Sequence, residues 1–156
     1  MHDRGGMQLL KACVMYYRRD FTPGGTYFFT VVTSERRPLL AGPGAVEILR
    51  GSFRTVMADY PFRIDAIVVL PDHLHTIWTL PEGDADYPFR WNRIKGRFTE
   101  VLSARIRPIW QNRYWEHRIR DDADFNHHVS YIHWNPVKHG LAQTPEEWAY
   151  SSYRFR

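Results

Sequence analysis

His73-Leu74-His75 lies in the stretch His-Leu-His-Thr-Ile-Trp-Thr-Leu over 73–80, whose β-branched and aromatic content predicts a strand. Residues two apart on a strand project to one face, so both imidazoles point together while Leu74 turns toward the core. Convergent imidazoles are the start of a metal site. In a chain with eight histidines, the same pattern also arises as two ordinary surface residues. A second group follows at His127, His128, Tyr131, His133 and Asn135. Positions 127, 131 and 135 are spaced by four and share a helical face, beside an apolar face of Phe125, Val129 and Ile132 that should pack on a sheet. A tyrosine there either buries its ring and hydrogen-bonds its hydroxyl, or acts as a nucleophile. Together the two groups are more informative. Two imidazoles and one amide oxygen would hold a divalent cation and leave positions for phosphate oxygens. A tyrosine one helical turn from the amide could then attack the phosphorus. The phosphotyrosine would conserve the phosphodiester energy for rejoining, so no ATP is needed, and the chain has no Walker loop.

These residues need elements to position them. Thr-Tyr-Phe-Phe-Thr-Val-Val-Thr over 26–33 predicts a first strand, and 63–70 with 73–80 predicts a hairpin turning at Pro71-Asp72. Val46, Leu49, Phe53, Val56 and Met57 fall at helical spacing and predict a helix over 45–58. Trp91, Ile94, Phe98, Val101 and Leu102 predict a second helix over 89–106, with Arg90, Arg93, Lys95, Arg97, Arg105 and Arg107 at its exposed positions. Residues 108–119 suit an extended edge segment. Asp121 or Asp122 caps a third helix running to about Asn135, where Pro136 ends or kinks it and Gly140 fits a C-terminal stop. The economical packing is an α+β domain with one antiparallel sheet and its helices on one face. Residues 1–156 are expected to form one domain, with 1–15 as a flexible arm and 141–156 as a tail docked on the core or on DNA.

Composition narrows the class. The chain has 156 residues, 21 Lys and Arg against 17 Asp and Glu, a net charge of +4, and 44% apolar residues. This is a globular composition and not a disordered one. No run approaches the roughly 18 apolar residues of a membrane span, and no secretory signal is visible. The single Cys13 excludes an intramolecular disulfide framework and a cysteine zinc site. A reduced, cytoplasmic setting is expected. Basic residues interleaved with 15% aromatics suit single-stranded nucleic acid, where phosphates need cations and bases need flat faces.

The motifs carry a resemblance. They are Gly24-Gly25-Thr26-Tyr27-Phe28-Phe29-Thr30, Val68-Val69-Leu70-Pro71-Asp72-His73-Leu74-His75, Ile77-Trp78-Thr79-Leu80-Pro81, Trp110-Gln111, and Tyr114-Trp115-Glu116-His117 with Arg120. His127 through His133 and Asn135-Pro136-Val137-Lys138-His139-Gly140 complete the series. In this order, over roughly residues 16–153, the chain resembles the single-tyrosine HUH transposases of the IS200-like group, and looks closest to the REP-associated tyrosine transposases. The resemblance implies a ferredoxin-like (RRM-like) fold and a divalent ion, Mg or Mn, held by His73, His75 and Asn135. It implies Tyr131 as nucleophile on single-stranded DNA at REP-type hairpins, a 5′-phosphotyrosine intermediate, a free 3′-OH, and a monomer with no obligatory protein partner.

Other positions keep two readings each. Arg18 and Arg19 either read DNA beside the hairpin or form a solvated cluster. Arg93, Lys95, Arg97, Arg113 and Lys138 are candidate phosphate contacts or ordinary surface charge. Glu116 orients a metal-ligating histidine or makes an edge-strand ion pair. His127 assists Tyr131 or sits on the helix surface. Trp148, Tyr150 and Tyr153 stack bases or dock the tail. Two rival functions share these residues: a REP-binding or RNA-binding module that does not cut, and an H-x-H metal hydrolase using bound water.

Overall fold

The computed structural model describes residues 19–102 and 107–155; the expected arm at 1–15, Arg18, and the end of the second helix at 103–106 lie outside them. Strands β1 (Thr26–Val32), β2 (Arg63–Val69), β3 (His73–Thr79) and β4 (Trp115–Arg118) form one sheet in the order β2-β3-β1-β4. All neighbours are antiparallel. Helices α1 (Gly42–Asp59), α2 (Tyr87–Leu102) and α3 (Asp122–Lys138) complete the described α+β fold.

Strand alternation sends side chains into two cores. Tyr27, Phe29 and Val31 of β1 join Leu74 and Trp78 of β3 beneath α1 and α2, with Trp78 stacked on Trp91 at 4.3 Å between ring centroids. Phe28, Ala66, Val68 and Ile77 face the other way and meet Val129 and Ile132 of α3 in a smaller core. The helices therefore do not share one face: α1 and α2 cover one side of the sheet and α3 the other. β1 and β3 bury apolar side chains on both sides, and a sheet so patterned needs a cover on each face. A register shift between Ile64 and Ala66 keeps β2 in step with both.

Local chemistry sets the helix limits. Pro88 suits the first turn of a helix, where its missing N–H costs nothing, and α2 begins at Tyr87. Asp121 is the cap of α3, its carboxylate accepting the Asp124 N–H at 2.8 Å. Pro136 does not end α3, which runs on to Lys138; lacking an N–H, it gives up only the bond it would donate back to Ile132. Gly140 takes φ +72, the left-handed stop. The segment before β4 is extended only in part: Ile109 and Gln111 bond to the end of β1, and the strand proper starts at Trp115.

Arg90 departs from the expectation of a surface residue. It is buried, donating to the Asp84 carboxylate at 2.7 Å and to the carbonyls of Tyr60, Pro61 and Asp86. A planar fork reaches all of these acceptors; an ammonium does not. Arg90→Lys is expected to lower stability by about 2 kcal/mol, read from the urea midpoint at unchanged slope. A change under about 0.5 kcal/mol, typical of an exposed position, would show that the fork holds nothing.

Residues after α3 close the edge of β2. Val69 N–H donates to the Tyr150 carbonyl at 2.8 Å, the Ile67 N–H to Ser152 Oγ at 3.0 Å, and Trp148 Nε1 to the Val69 carbonyl at 2.9 Å. Pairing an exposed edge in this way removes a template for another chain.

Candidate active site

The site forms where β3 passes under α3. His73 and His75 sit on the α3 side of the sheet with ring centroids 4.9 Å apart, both more than nine-tenths buried. Each ring is held by its Nδ1. His73 Nδ1 bonds Asp72 Oδ1 at 2.7 Å, and His75 Nδ1 bonds Thr30 Oγ1 at 2.8 Å. Thr30 is the cross-strand partner of His75 on β1. With Nδ1 engaged on both rings, Nε2 is the atom that each ring could offer to a metal, and the partners fix ring orientation. Burial and the positive neighbours His73, His139, Lys138 and Arg36 hold the His75 pKa well below the usual imidazole range. The neutral ring is the ligand form. Asp72 is kept ionised by its bonds to His73 and Arg36, which outweigh its burial.

Helix α3 supplies the other half. The Tyr131 ring packs against His75 at 5.2 Å between centroids and against Phe28 at 5.9 Å. One turn on, Asn135 is 1% exposed, and neither Nδ2 nor Oδ1 has a hydrogen-bond partner. One turn further, His139 lies 5.3 Å from His73. Asn135 is thus flanked on its own helix by the two residues that touch the histidine pair. An unpaired amide buried at such a point costs about 1–3 kcal/mol unless something else satisfies it. Two Nε2 atoms and an amide oxygen fit a divalent cation. The face runs 131, 135, 139 rather than 127, 131, 135, for His127 is exposed and turned outward.

The remaining expected contacts divide. Lys138 is exposed, with its ammonium 5.1 Å from the Tyr131 ring centroid. Arg97 and Arg113 are exposed, and Arg93 lies over the Phe89 ring at 5.5 Å, so none of these three touches the histidine pair. Lys95 donates to the Gln111 carbonyl at 3.3 Å. Arg19 pairs with Glu116 at 2.5 Å and covers the Tyr114 ring. Glu116 is opposite Phe29 in the ladder, hence on the α1–α2 side of the sheet, away from the histidines. Asp72 and Thr30 do the orienting expected of it.

The sequence assigns no role at the site to four residues: Thr30, Asp72, His139 and Trp134. Asp72 adjoins the His pair, and His139 continues the spacing of four, so both left a trace. Thr30 depends on strand register and left none. Trp134 is 54% exposed on α3, three residues past Tyr131.

Paired histidines on a central strand, facing a helix tyrosine and an amide one turn on, are the arrangement expected of a tyrosine transposase, an enzyme that nicks and joins DNA. No protein-family model matches the chain. It is 47% identical over 137 residues to the REP-associated tyrosine transposase of Escherichia coli K12, covering 88% of this chain and 81% of that protein. A Haemophilus influenzae relative described in similar terms is 41% identical over 149 residues, covering 88% and 84%. A REP-associated tyrosine transposase solved bound to a REP hairpin superposes with a TM-score of 0.83 at 46% identity, over 89% of this chain and 82% of that one. A candidate transposase of Deinococcus radiodurans shares the fold, with a TM-score of 0.52 at 16% identity over 75% of this chain and 97% of that one. The chain belongs to the REP-associated tyrosine transposases.

Proposed function

We propose that the protein cuts and rejoins single-stranded DNA beside REP-type hairpins, with Tyr131 as nucleophile and His73, His75 and Asn135 as ligands of Mg or Mn. The observation that carries this reading is Tyr131 against His75, one turn from the unpaired Asn135 amide. A divalent cation held by His73, His75 and Asn135 would supply neutralisation of the charge that builds up at the phosphate. Asp72 and Thr30 keep both imidazoles aimed without further ordering. The Tyr131 oxygen forms the new bond to phosphorus as the bond to the 3′ oxygen breaks. The phenolic proton passes to solvent, the 3′ oxygen leaves as a hydroxyl after taking up a proton, and the 5′ phosphate stays on the tyrosine. Rejoining is the reverse attack by a 3′-OH. Lys138 places positive charge beside the Tyr131 ring, where the phosphate arrives.

The protein works as a monomer in the cytoplasm. The tail that covers the edge of β2 supports the first statement. Among the described residues, no helix is long and apolar enough to cross a membrane.

The test uses a REP hairpin oligonucleotide with single-stranded flanks, incubated with the protein and Mn or with a chelator, then run on a denaturing gel. A DNA–protein adduct that requires the metal is expected. Tight hairpin binding without cleavage would favour a binding module, and cleavage without an adduct would favour a water nucleophile.

Trp134 is expected to stack on a base next to the scissile phosphate, a contact worth about 1–3 kcal/mol. Trp134→Ala should raise the KM for DNA about tenfold or more with kcat nearly unchanged, while Trp134→Phe retains most of the affinity. Equal KM values for all three proteins would remove Trp134 from the DNA path.

A further inference from the structure

A second set of metal-ligating side chains lies on the α3 side of the sheet, apart from the His73–His75 pair. His117 of β4 and Asp124 and His128 of α3 bring one ligand atom each to within 4.8 Å of one another. His117 Nε2 is 2.9 Å from Asp124 Oδ2, and His128 Nδ1 is 3.1 Å from Asp124 Oδ1. The two imidazoles are stacked, with centroids 4.8 Å apart and planes at 23°. Both therefore present their nitrogens to the same carboxylate from one side. The Phe28 ring stands between this cluster and the active site, 4.7 Å from His128 and 5.5 Å from His75.

We propose that His117, Asp124 and His128 form a second metal site, taking a borderline transition-metal ion of the zinc class rather than the oxygen-seeking ion of the active site. The donors decide the class. Two imidazole nitrogens and one carboxylate oxygen suit zinc, whereas magnesium prefers oxygen ligands and retained waters. Zinc takes four ligands. His127 is the nearest further imidazole, exposed and with its ring 5.3 Å from that of His128, and water can complete the set otherwise.

Loading exchanges hydrogen bonds for metal bonds. His128 Nδ1 also donates to the Asp124 carbonyl at 2.9 Å, so on binding the ring proton moves to Nε2 and that bond is given up. His117 likewise carries its proton on Nδ1. Asp124 keeps the Arg120 N–H at 3.0 Å, which orients the carboxylate. The ion would tie β4 to the first turn of α3, the helix that bears Tyr131, and so fix that helix against the sheet.

The experiment separates the two sites with a His73→Ala/His75→Ala double variant titrated with zinc, and with cobalt as a visible-absorbing substitute. One equivalent of zinc is expected to bind the double variant. At a hundredfold excess over the dissociation constant it should raise the melting temperature by about 5 °C or more. Adding His117→Gln should abolish binding, the cobalt absorption and the thermal shift together. Should that triple variant fail to fold, His128→Asn in the same background provides the same reading. No zinc bound by the double variant, or binding that survives both His117→Gln and His128→Asn, would overturn the site. Neither result bears on Tyr131 or on DNA cleavage.

Discussion

Tyr131→Phe is expected to lower DNA cleavage by about a thousandfold or more and to eliminate the covalent adduct. Hairpin binding and melting temperature should hardly move. The ring is what packs: it lies edge-on to His75 and Phe28, and phenylalanine preserves both contacts. The hydroxyl has no hydrogen-bond partner among the bonds of the described residues, so its loss should change stability by less than about 0.5 kcal/mol. The informative readout is the pair of numbers together. If Tyr131→Phe kept cleaving at a tenth of the normal rate with no adduct, water would be the nucleophile. If it lost cleavage only by losing fold, the melting curve would say so.

Asn135→Leu should have opposite effects on stability and on catalysis. The native amide is buried with both polar atoms unpaired. Replacing it with an apolar side chain removes that cost, and the metal-free protein is expected to gain about 1 kcal/mol, after allowance for the bulk of leucine. Loss of an oxygen ligand should weaken Mn binding and reduce cleavage about a hundredfold or more. The check is a pair of melting curves with and without Mn. Wild type should rise with Mn and Asn135→Leu should not, apart from any response that zinc-class sites give equally in both. A variant that melts lower without metal yet still responds to Mn like wild type would mean that the amide serves packing and not a cation.

The secondary structure and the residues of the candidate site were largely legible in the sequence; their surroundings were less so. Val46, Leu49, Phe53 and Val56 announce α1 because burial imposes the helical period. His73 and His75 announce a shared face because the strand period is two. Three things were not legible. The side of the sheet that α3 covers depends on the apolar character of both faces of β1, which reads locally as one continuous run. The partners of the histidines depend on register, since Thr30 meets His75 only through the β1–β3 ladder. The burial of Arg90 depends on carbonyls of the distant residues Tyr60 and Pro61, which no periodicity exposes.

The two cores are unequal, and the difference falls on the reaction. The histidine half of the site is built on β3, an interior strand clamped under α1 and α2 by the large aromatic core. The tyrosine half rides on α3, held chiefly by the few side chains around Phe28, Val68 and Ile77. Proteins open locally in cooperative units, and the unit with the least apolar contact opens first. Tyr131 and the His73–His75 pair therefore belong to different opening units. Amide hydrogens of α3 should exchange ahead of those of β1 and β3, so that on the proposed chemistry a 5′ end bonded to Tyr131 would travel with a detachable helix while the rest of the molecule stays folded.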